Sequence, residues 1–546
     1  MTLFNHTKFK LHVNLCVSLC MCVLVFNCAS ALAHKGVKHD HGEITFTPND
    51  YQRLISPSAE QGSLDVMIKD EHNHPTPAFI SIKYADSWQY IVLEQQFLPN
   101  PRLSLQRSNR PQWKTKFPIH TLGHAKLVLP VGKYQILVGK GIEYTPQTLT
   151  FEINKDKLTS LDISLKRFVN MPQQGWWSGD THVHAARNSA KDDRELLWAA
   201  QAEDIHVSSV LVMGDAKQMH FPQYALGDTG IVQENNYWLV PGQEEPRTSE
   251  LGHTILLNTQ KLYRNTGDYY RYDTIFKQAR KDGALTGIAH FFGDKFYAKN
   301  AGALLLAEGL VDFVELLDND GIFNPQHYYD ALNIGARLSL TAGSDFPWGG
   351  HIGDNRTYAF IGENNKLTPS KWYQAVKAGK TFITQGPILS FTINGETIGS
   401  DLHLKVADAQ KISVRAQGNK NIGIPKALSL ISMGDVIHKL DAENTKGDSL
   451  EFNLELKADH SRWFIAEARA HNGAIAHSSP IYITVNNADI LAAPDELLTL
   501  YQQNLSRIEQ LTSAEFVPQQ QRPSFVKWLN KMMAIYQQKI QALENQ

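Results

Sequence analysis

The hydrophobic rhythm of the chain changes twice, and these changes constrain its fold more than any other feature. Between residues 62 and 165, short apolar runs are separated by turn residues, which is typical of a small β-sandwich. From Gly175 onwards, apolar runs alternate with helix-like stretches, which predicts an α/β segment with a mainly parallel sheet. After Gly386-Pro387 the strand rhythm returns and predicts a second β-sandwich.

The last part of the chain has helical spacing. Beyond Pro494, apolar residues recur three or four positions apart in two stretches, from Leu497 to Ile508 and from Phe525 to Leu543. Two helices that pack on a neighbouring domain are favoured over a partner-binding device.

The first 33 residues have the layout of an export signal. Lys8 and Lys10 precede an apolar stretch, and the small residues around Ala33 suit a signal peptidase. A retained membrane anchor is the alternative, but the apolar run is short for a span. We therefore expect an exported protein, periplasmic or secreted, with no integral membrane span after processing.

Composition narrows the possible partners. The chain has 546 residues, 53 basic and 55 acidic, so no strong field would attract nucleic acid. All four cysteines lie within the first 33 residues, so the processed protein can form no disulfide. A small-molecule substrate is the expected partner, and the oligomeric state is left open.

The expected segments are a signal peptide at 1–33, a histidine-containing segment at 34–61, a β-sandwich at 62–168, an α/β domain at 169–388, a β-sandwich at 389–488 and a helical tail at 489–546.

Histidines and carboxylates follow several of the apolar runs in the α/β domain. His182 and His184 stand two apart, so on a strand both imidazoles point to one face. Alone, this pair is weak evidence for a metal site. Further polar residues sit at or near the carboxyl ends of strand-like runs, where parallel α/β folds gather ligands. They are Glu244, His253, His290, Glu315 and Asp345.

Imidazoles and carboxylates together suit zinc, manganese or iron, and a carboxylate can bridge two ions. Two such ions would lower the pKa of a bridging water and stabilise both the attacking and the leaving oxygen. The residue types therefore predict two divalent metal ions and hydrolytic chemistry.

The ordered motifs resemble those of the polymerase and histidinol phosphatase (PHP) metal-dependent hydrolases. The motifs are Gly-Asp-Thr-His-Val-His at 179–184, Gly-Gln-Glu at 242–244, Gly-His at 252–253, Ile-Ala-His at 288–290 and Ala-Gly-Ser-Asp at 342–345. Asn-Arg-Thr-Tyr at 355–358 and the string at 378–387 are similar to the carbaryl-hydrolase branch of that superfamily. The resemblance implies a distorted (β/α)7 barrel, flanked by the two sandwiches.

The resemblance also implies roles for individual residues. His182 and His184 would bind one metal, Glu244 would bridge, and His253 and His290 would bind the other. Asp345 would complete the first site.

Two departures from the superfamily pattern argue against a third metal. Only Asp215-Ala216 stands where Asp-His is usual, and Asp345 is followed by Phe346-Pro347 instead of x-His. His351, in the loop that follows, is the residue that could replace the missing histidine.

Three residues are expected to take part in catalysis: Asp345, Arg356 and Glu315. Glu315, together with Asp180, is expected to orient imidazoles through their second ring nitrogen. Arg356 would stabilise negative charge on the scissile group, with a structural ion pair as the alternative.

The sequence thus favours an exported hydrolase that attacks a phosphoester, ester or carbamate with a metal-bound hydroxide. A non-catalytic exported module that binds metal or glycan is the alternative. The histidines at 34–41 are expected to be a solvated tract, with capture of zinc as the other possibility.

Overall fold

The computed structural model describes residues 60–87, 91, 118–291, 298–316, 323–347, 350–442 and 447–545. The expected signal peptide and almost all of the histidine-containing segment lie outside these residues. Within them, no helix has the length and apolar character needed to span a membrane.

Two small sheets and a separate pair of short strands, β6 and β9, form the first part of the described chain. β1 lies between β4 and β8 in one sheet, and the other sheet has the order β3-β2-β5-β7. Leu64, Val66 and Ile68 alternate along β1 and are buried, because successive side chains of a strand point to opposite faces. The strands are β1 (Gln61–Lys69), β2 (Ala78–Tyr84), β3 (Ile119–Thr121), β4 (His124–Pro130), β5 (Gly132–Gly139), β6 (Tyr144–Thr145), β7 (Gln147–Ile153), β8 (Leu158–Ser164) and β9 (Lys166–Arg167).

The central part follows, with strands that are buried on both faces. β10 and β11 are buried along their whole length, although β10 carries polar residues such as Asp180 and His182. The elements are β10 (Trp176–Val183), α1 (Ala190–Ala202), β11 (Val207–Gly214), β12 (Met219–His220), β13 (Val232–Glu234), β14 (Tyr237–Glu244), β15 (Arg247–Thr248), β16 (Gly252–Leu257), α2 (Tyr272–Lys281), β17 (Leu285–Ile288), α3 (Ala298–Ala307), β18 (Phe313–Glu315), α4 (Gln326–Asn333), β19 (Ser339–Thr341), β20 (Arg356–Phe360), α5 (Pro369–Lys377) and β21 (Thr381–Thr384).

The last part contains ten strands and two long helices. The sheet β23-β22-β25-β28 shares a core with strands of a much larger sheet. The elements are β22 (Ile388–Ile393), β23 (Glu396–Thr397), β24 (Asp401–Leu404), β25 (Ala409–Gln417), β26 (Pro425–Ser432), β27 (Asp435–Asp441), β28 (Ser449–Lys457), β29 (Arg462–Ala470), β30 (Ile475–Ser478), β31 (Ile481–Val485), α6 (Pro494–Glu509) and α7 (Arg522–Glu544).

The two C-terminal helices occur where helical spacing predicts them. Their apolar stripes join the largest buried cluster, which includes Leu304 and Leu305 of α3. The hydroxyl of Tyr536 on α7 donates to the carbonyl oxygen of Ala303, 2.9 Å away. The helices therefore pack on the rest of the fold.

The expected α/β class with a (β/α)7 barrel is wrong, because the fold is rich in β-structure and its central sheet is not a closed ring of β/α units. β10, β11 and β14 are parallel, but β16 runs antiparallel to both β14 and β17. Six strands, β11 to β16, follow one another with no α-helix between them. β21 pairs with β30, so the sheet continues into the C-terminal strands and reaches 18 strands.

The error has a physical cause. A buried apolar run predicts a strand, but it does not encode the direction of the neighbouring strand or the closure of the sheet. For the same reason, the change of rhythm after Gly386 does not encode the pairing of β21 with β30.

Candidate metal centre

Strand ends bring the expected metal ligands to one edge of the central sheet. His182 lies near the end of β10, Glu244 ends β14, His290 follows β17 and Asp345 follows β19. His253 lies at the start of β16, and it reaches the same edge because β16 runs antiparallel to both of its neighbours. One reversed strand thus supplies a ligand from its amino end.

The six side chains form three overlapping groups that could hold metal ions. Within each group the candidate ligand atoms lie within 4.8 Å of one another. The groups are His182, His290 and Asp345; His182, His184 and Glu244; and Glu244, His253 and His290.

The carboxylate of Glu244 lies between two sets of imidazoles. Its Oε1 atom is 2.8 Å from Nδ1 of His253. Its Oε2 atom is 3.4 Å from Nε2 of His184 and 3.9 Å from Nε2 of His182. Each oxygen therefore faces a different group, which is the arrangement that a bridging carboxylate requires.

The spacing of the ligand atoms suits a first-row metal ion. Around a tetrahedral ion with bonds of about 2.1 Å, two ligand atoms are about 3.4 Å apart. The Oδ1 atom of Asp345 is 3.4 Å from Nε2 of His182 and 3.5 Å from Nε2 of His184. The Nε2 atoms of the two histidines are 2.9 Å apart. The residues present therefore suit a metal in donor type, burial and separation.

Glu315 orients His182 through the ring nitrogen that faces away from the cluster. Nδ1 of His182 donates to Oε2 of Glu315 at 2.8 Å, and the hydroxyl of Thr181 donates to Oε1 at 3.2 Å. Nδ1 of His184 is 3.4 Å from the carbonyl oxygen of Leu211. Both Nε2 atoms are thereby directed into the cluster.

Asp180 does not contact an imidazole ring, contrary to expectation. Its carboxylate accepts the backbone N–H groups of His182, Ser344 and Gly353 at 2.8–3.0 Å. Burial raises the pKa of Asp180 to about 6, although these N–H groups favour the charged form. Asp180 therefore ties the end of β10 to the loop that carries Asp345.

Two of the candidate ligands adopt a backbone conformation that is rare for residues with a side chain. The φ angles are 50° for His290 and 47° for Asp345, both in the left-handed region. Such a conformation costs about 1–3 kcal/mol and persists where the surrounding structure imposes it. It turns both side chains towards the cluster directly after their strands end.

The charges of the cluster favour a cation. Burial alone would lower the pKa of His182, but the negative charges of Glu315 and Asp345 raise it to about 10. Burial opposes ionisation of Glu244, yet Arg247 and His253 hold the pKa of that carboxyl well below its usual range. The carboxylates of Glu244 and Asp345, whose pKa values are both lowered, are therefore ionised and draw positive charge into the cluster.

Arg356 is not brought to the cluster. Its guanidinium is fully buried and donates to two backbone carbonyl oxygens, that of Gly353 at 2.8 and 3.1 Å and that of Glu203 at 3.2 Å. These hydrogen bonds are all to the protein's own backbone, so contact with a substrate is not supported. A structural role fits these contacts.

The two expected stand-ins for a third metal site also lie outside the three groups. Oδ1 of Asp215 accepts the backbone N–H groups of Lys217 and Gln218 and closes a turn. The backbone N–H of His351 donates to Asp354 at 2.9 Å. Among the residues that the structure describes, neither belongs to a group that could hold a metal.

Arg247 was missed by the sequence analysis although it lies beside the cluster. Its Nη1 atom is 3.7 Å from Oε2 of Glu244, and its Nη2 atom is 3.3 Å from Nε2 of His253. It stands between the two motifs that carry these residues. Its position between the motifs could have drawn attention to it, but no spacing rule marks a single arginine as part of a metal site.

Gly343 was also overlooked. A Cβ atom at this position would lie 2.4 Å from Cβ of His182 and 2.9 Å from Oε1 of Glu315. Only glycine lets the loop before Asp345 pass this close to the imidazole.

No protein-family model matches the chain. No curated protein matches it either. Three solved structures show weak similarity. The minor pilin GBS52 of Streptococcus agalactiae is 14% identical, with a TM-score of 0.15 over 20% of this chain and 47% of that one. The Bacillus anthracis TIE protein is 9% identical, with a TM-score of 0.13 over 79% of this chain and 50% of that one. A Bacteroides uniformis β-glucuronidase is 9% identical, with a TM-score of 0.16 over 75% of this chain and 58% of that one.

The chain thus spans about half the length of each of these three solved structures. At these TM-scores the likeness does not extend to the fold, and the function is argued below from the cluster itself.

Proposed function

We propose that this protein is an exported metal-dependent hydrolase that cleaves a phosphoester, carboxylic ester or carbamate bond. The observation that carries the proposal is the position of Glu244, whose two oxygens face different imidazole groups. A carboxylate in that position can hold two cations at once. The motif resemblance to PHP hydrolases supports the same chemistry independently of the fold.

The donor set suits zinc, manganese or iron, and we propose two ions. His182, His184 and Asp345 would hold one, His253 and His290 the other, and Glu244 both. When bound, two divalent ions supply acidified water and polarise the bond to be cleaved.

The protein's own side chains define how a substrate approaches. The side chains of His182 and His184 are fully buried, whereas Asp345 is 29% exposed and His253 and Arg247 are each 13% exposed. The substrate therefore approaches from the side of Asp345, His253 and Arg247. The deeper imidazoles hold their positions and exclude water from that face.

Arg247 gives the cluster a means of recognising an anionic substrate. Its guanidinium is partly exposed beside Glu244 and can pair with a phosphate as well as with that carboxylate. We therefore expect phosphoesters to depend on Arg247 more strongly than neutral esters or carbamates do. Replacing Arg247 with alanine and comparing kcat/KM on p-nitrophenyl phosphate, p-nitrophenyl acetate and an aryl carbamate distinguishes these substrate classes.

The test of the main proposal is metal content combined with hydrolysis. We expect about two equivalents of transition metal in the purified protein by elemental analysis, together with turnover of at least one of the three substrates. His182→Ala and Glu244→Gln should lose metal and activity together. Exposed His403, which belongs to none of the three groups, provides the matched control His403→Ala.

Two results would overturn the hydrolase proposal. Bound metal without turnover on any substrate class would favour a non-catalytic metal-binding module. Turnover that survives both the His182 and the Glu244 substitutions would place the chemistry elsewhere. Export is tested separately, by sequencing the amino terminus of the protein recovered from periplasmic and culture fractions, with a start at His34 expected.

A further inference from the structure

A groove of about 450 Å³ opens at the opposite end of the strands that carry the metal ligands. It is lined by Trp177 near the start of β10, His206 directly before β11 and Tyr237 at the start of β14. From Trp177 to His182 the chain advances five residues along β10, which is about 17 Å in a strand. The groove and the candidate metal centre are therefore separate.

Three aromatic rings border this groove, of which Tyr237 is partly exposed while Trp177 and His206 are buried. The ring of Tyr237 stacks on that of His206, with centroids 5.0 Å apart and planes 5° apart. Trp177 meets His206 edge-on at 4.8 Å. Hydrogen bonds hold these rings in place, because the Tyr237 hydroxyl donates to Asp204 at 2.7 Å and Ser178 lies 2.8 Å from Nδ1 of His206. These contacts orient the ring of Tyr237 before any ligand arrives.

Amide side chains line the remainder of the groove. Asn170, Gln173, Asn235 and Asn236 all border it, and the last three are exposed. Within the described residues, the side-chain amides of Gln173, Asn235 and Asn236 make no hydrogen bond. The indole N–H of Trp177 also has no partner there, but it is buried. The three exposed amides thus offer donors and acceptors that the protein itself leaves available.

No excess positive charge lies near the groove. Arg167, which lines it, is paired with the carboxylate of Glu143 and lies 3.3 Å from that of Asp204. The ammonium of Lys140 is buried nearby, donates to the carbonyl oxygens of Pro77 and Gln201, and is influenced by the carboxylates of Asp204 and Glu203. The two cations are therefore at least balanced by carboxylates, which leaves no free positive charge to recruit an anion.

We propose that this groove binds a neutral saccharide. A sugar ring has an apolar C–H face that packs on an aromatic wall, and its hydroxyls both donate and accept hydrogen bonds as amides do. The absence of free positive charge in the groove disfavours a phosphate, sulfate or acidic sugar. The site would hold a carbohydrate away from the candidate metal centre, as an anchoring site.

The experiment uses the full-length processed protein and three neutral probes: cellotetraose, maltotetraose and the tetramer of N-acetylglucosamine. Binding is measured by isothermal titration calorimetry. The indole N–H signal of Trp177, assigned with Trp177→Phe, is followed in ¹H–¹⁵N spectra. We expect at least one probe to bind and to shift that signal.

Substitutions in the groove give the second readout. Because each lost hydrogen bond weakens binding by about fivefold, the double variant Gln173→Ala and Asn236→Ala should weaken binding by at least that factor. Gln503→Ala, an exposed amide on α6, is the matched control and should leave affinity unchanged. His182→Ala should bind the saccharide normally, so failure of the hydrolase proposal would not affect this one.

Three results would overturn the proposal. No binding of any neutral probe at millimolar concentration would remove it. Equal affinity of the double variant and the wild type would place the site elsewhere. Tighter binding of a sulfated heparin tetrasaccharide than of every neutral probe would show that charge, rather than the aromatic and amide surface, governs recognition.

Discussion

Replacing Glu315 with glutamine tests the metal proposal without removing any proposed ligand. Oε2 of Glu315 lies 2.8 Å from Nδ1 of His182, and both side chains are buried. Glutamine keeps the shape of the side chain, but it removes the negative charge that fixes the proton on Nδ1. His182 would then be a weaker donor to a cation and would be held less firmly.

The structure permits an estimate of the effect. A buried hydrogen bond to a charged group contributes about 1.5–3 kcal/mol. Loss of a carboxylate that supports a metal-binding histidine weakens metal affinity about 10–100-fold, which corresponds to about 1.4–2.7 kcal/mol. The two estimates agree, so we expect Glu315→Gln to bind zinc about 10–100-fold more weakly than the wild type.

The assay is competition for Zn²⁺ with a chromogenic chelator at neutral pH. Glu467→Gln is the matched control, because Glu467 is also buried and charged but pairs with Arg469 on β29. An affinity of folded Glu315→Gln within about twofold of the wild type would refute the reasoning, since His182 would then not need its carboxylate partner.

Three further predictions follow from other contacts. Gly343→Ala should weaken metal binding without removing a ligand, because its Cβ would lie 2.4 Å from Cβ of His182. The control Gly267→Ala, whose Cβ would make only an ordinary contact, should leave metal binding unchanged, as measured by competition with a chelator. Burial lowers the pKa of His477 to about 3, below the unfolded value of about 6.5. The free energy of unfolding that is present above pH 6.5 should therefore fall by about 1.4 kcal/mol per pH unit as the pH drops towards 3. Urea unfolding of His477→Gln should show a weaker dependence on acid pH, and an unchanged dependence would contradict this. EDTA should lower the melting temperature of the wild type but not that of Glu244→Gln, because bound metal stabilises only a protein that binds it. Equal shifts of the two melting temperatures, measured by calorimetry, would place the ions elsewhere.

Local patterns in the sequence predict many of the elements correctly. The alternating residues of β1 and the helical stripe of α7 each appear where their period places them. Each period is a property of the backbone itself, two residues for a strand and 3.6 for a helix, so neighbours along the chain suffice to detect it.

The candidate ligands could also be selected from the sequence, because each follows or begins an apolar run. All six of them lie in the three groups that could hold a metal. Their roles as ligands of two ions stay a prediction. Arg356 and Arg247 show the limit of this approach: one bonds to backbone carbonyls and the other lies beside Glu244. Nothing in the surrounding sequence distinguishes these two environments.

What the sequence determined, then, is the set of strands, helices and polar side chains at their ends, since these depend on residues close together in the chain. The tertiary structure alone decided how strands pair. The antiparallel β16 and the pairing of β21 with β30 replace the expected barrel with an extended sheet. Strand direction and pairing depend on hydrogen bonds between backbones far apart in sequence, and all strand backbones offer the same donors and acceptors.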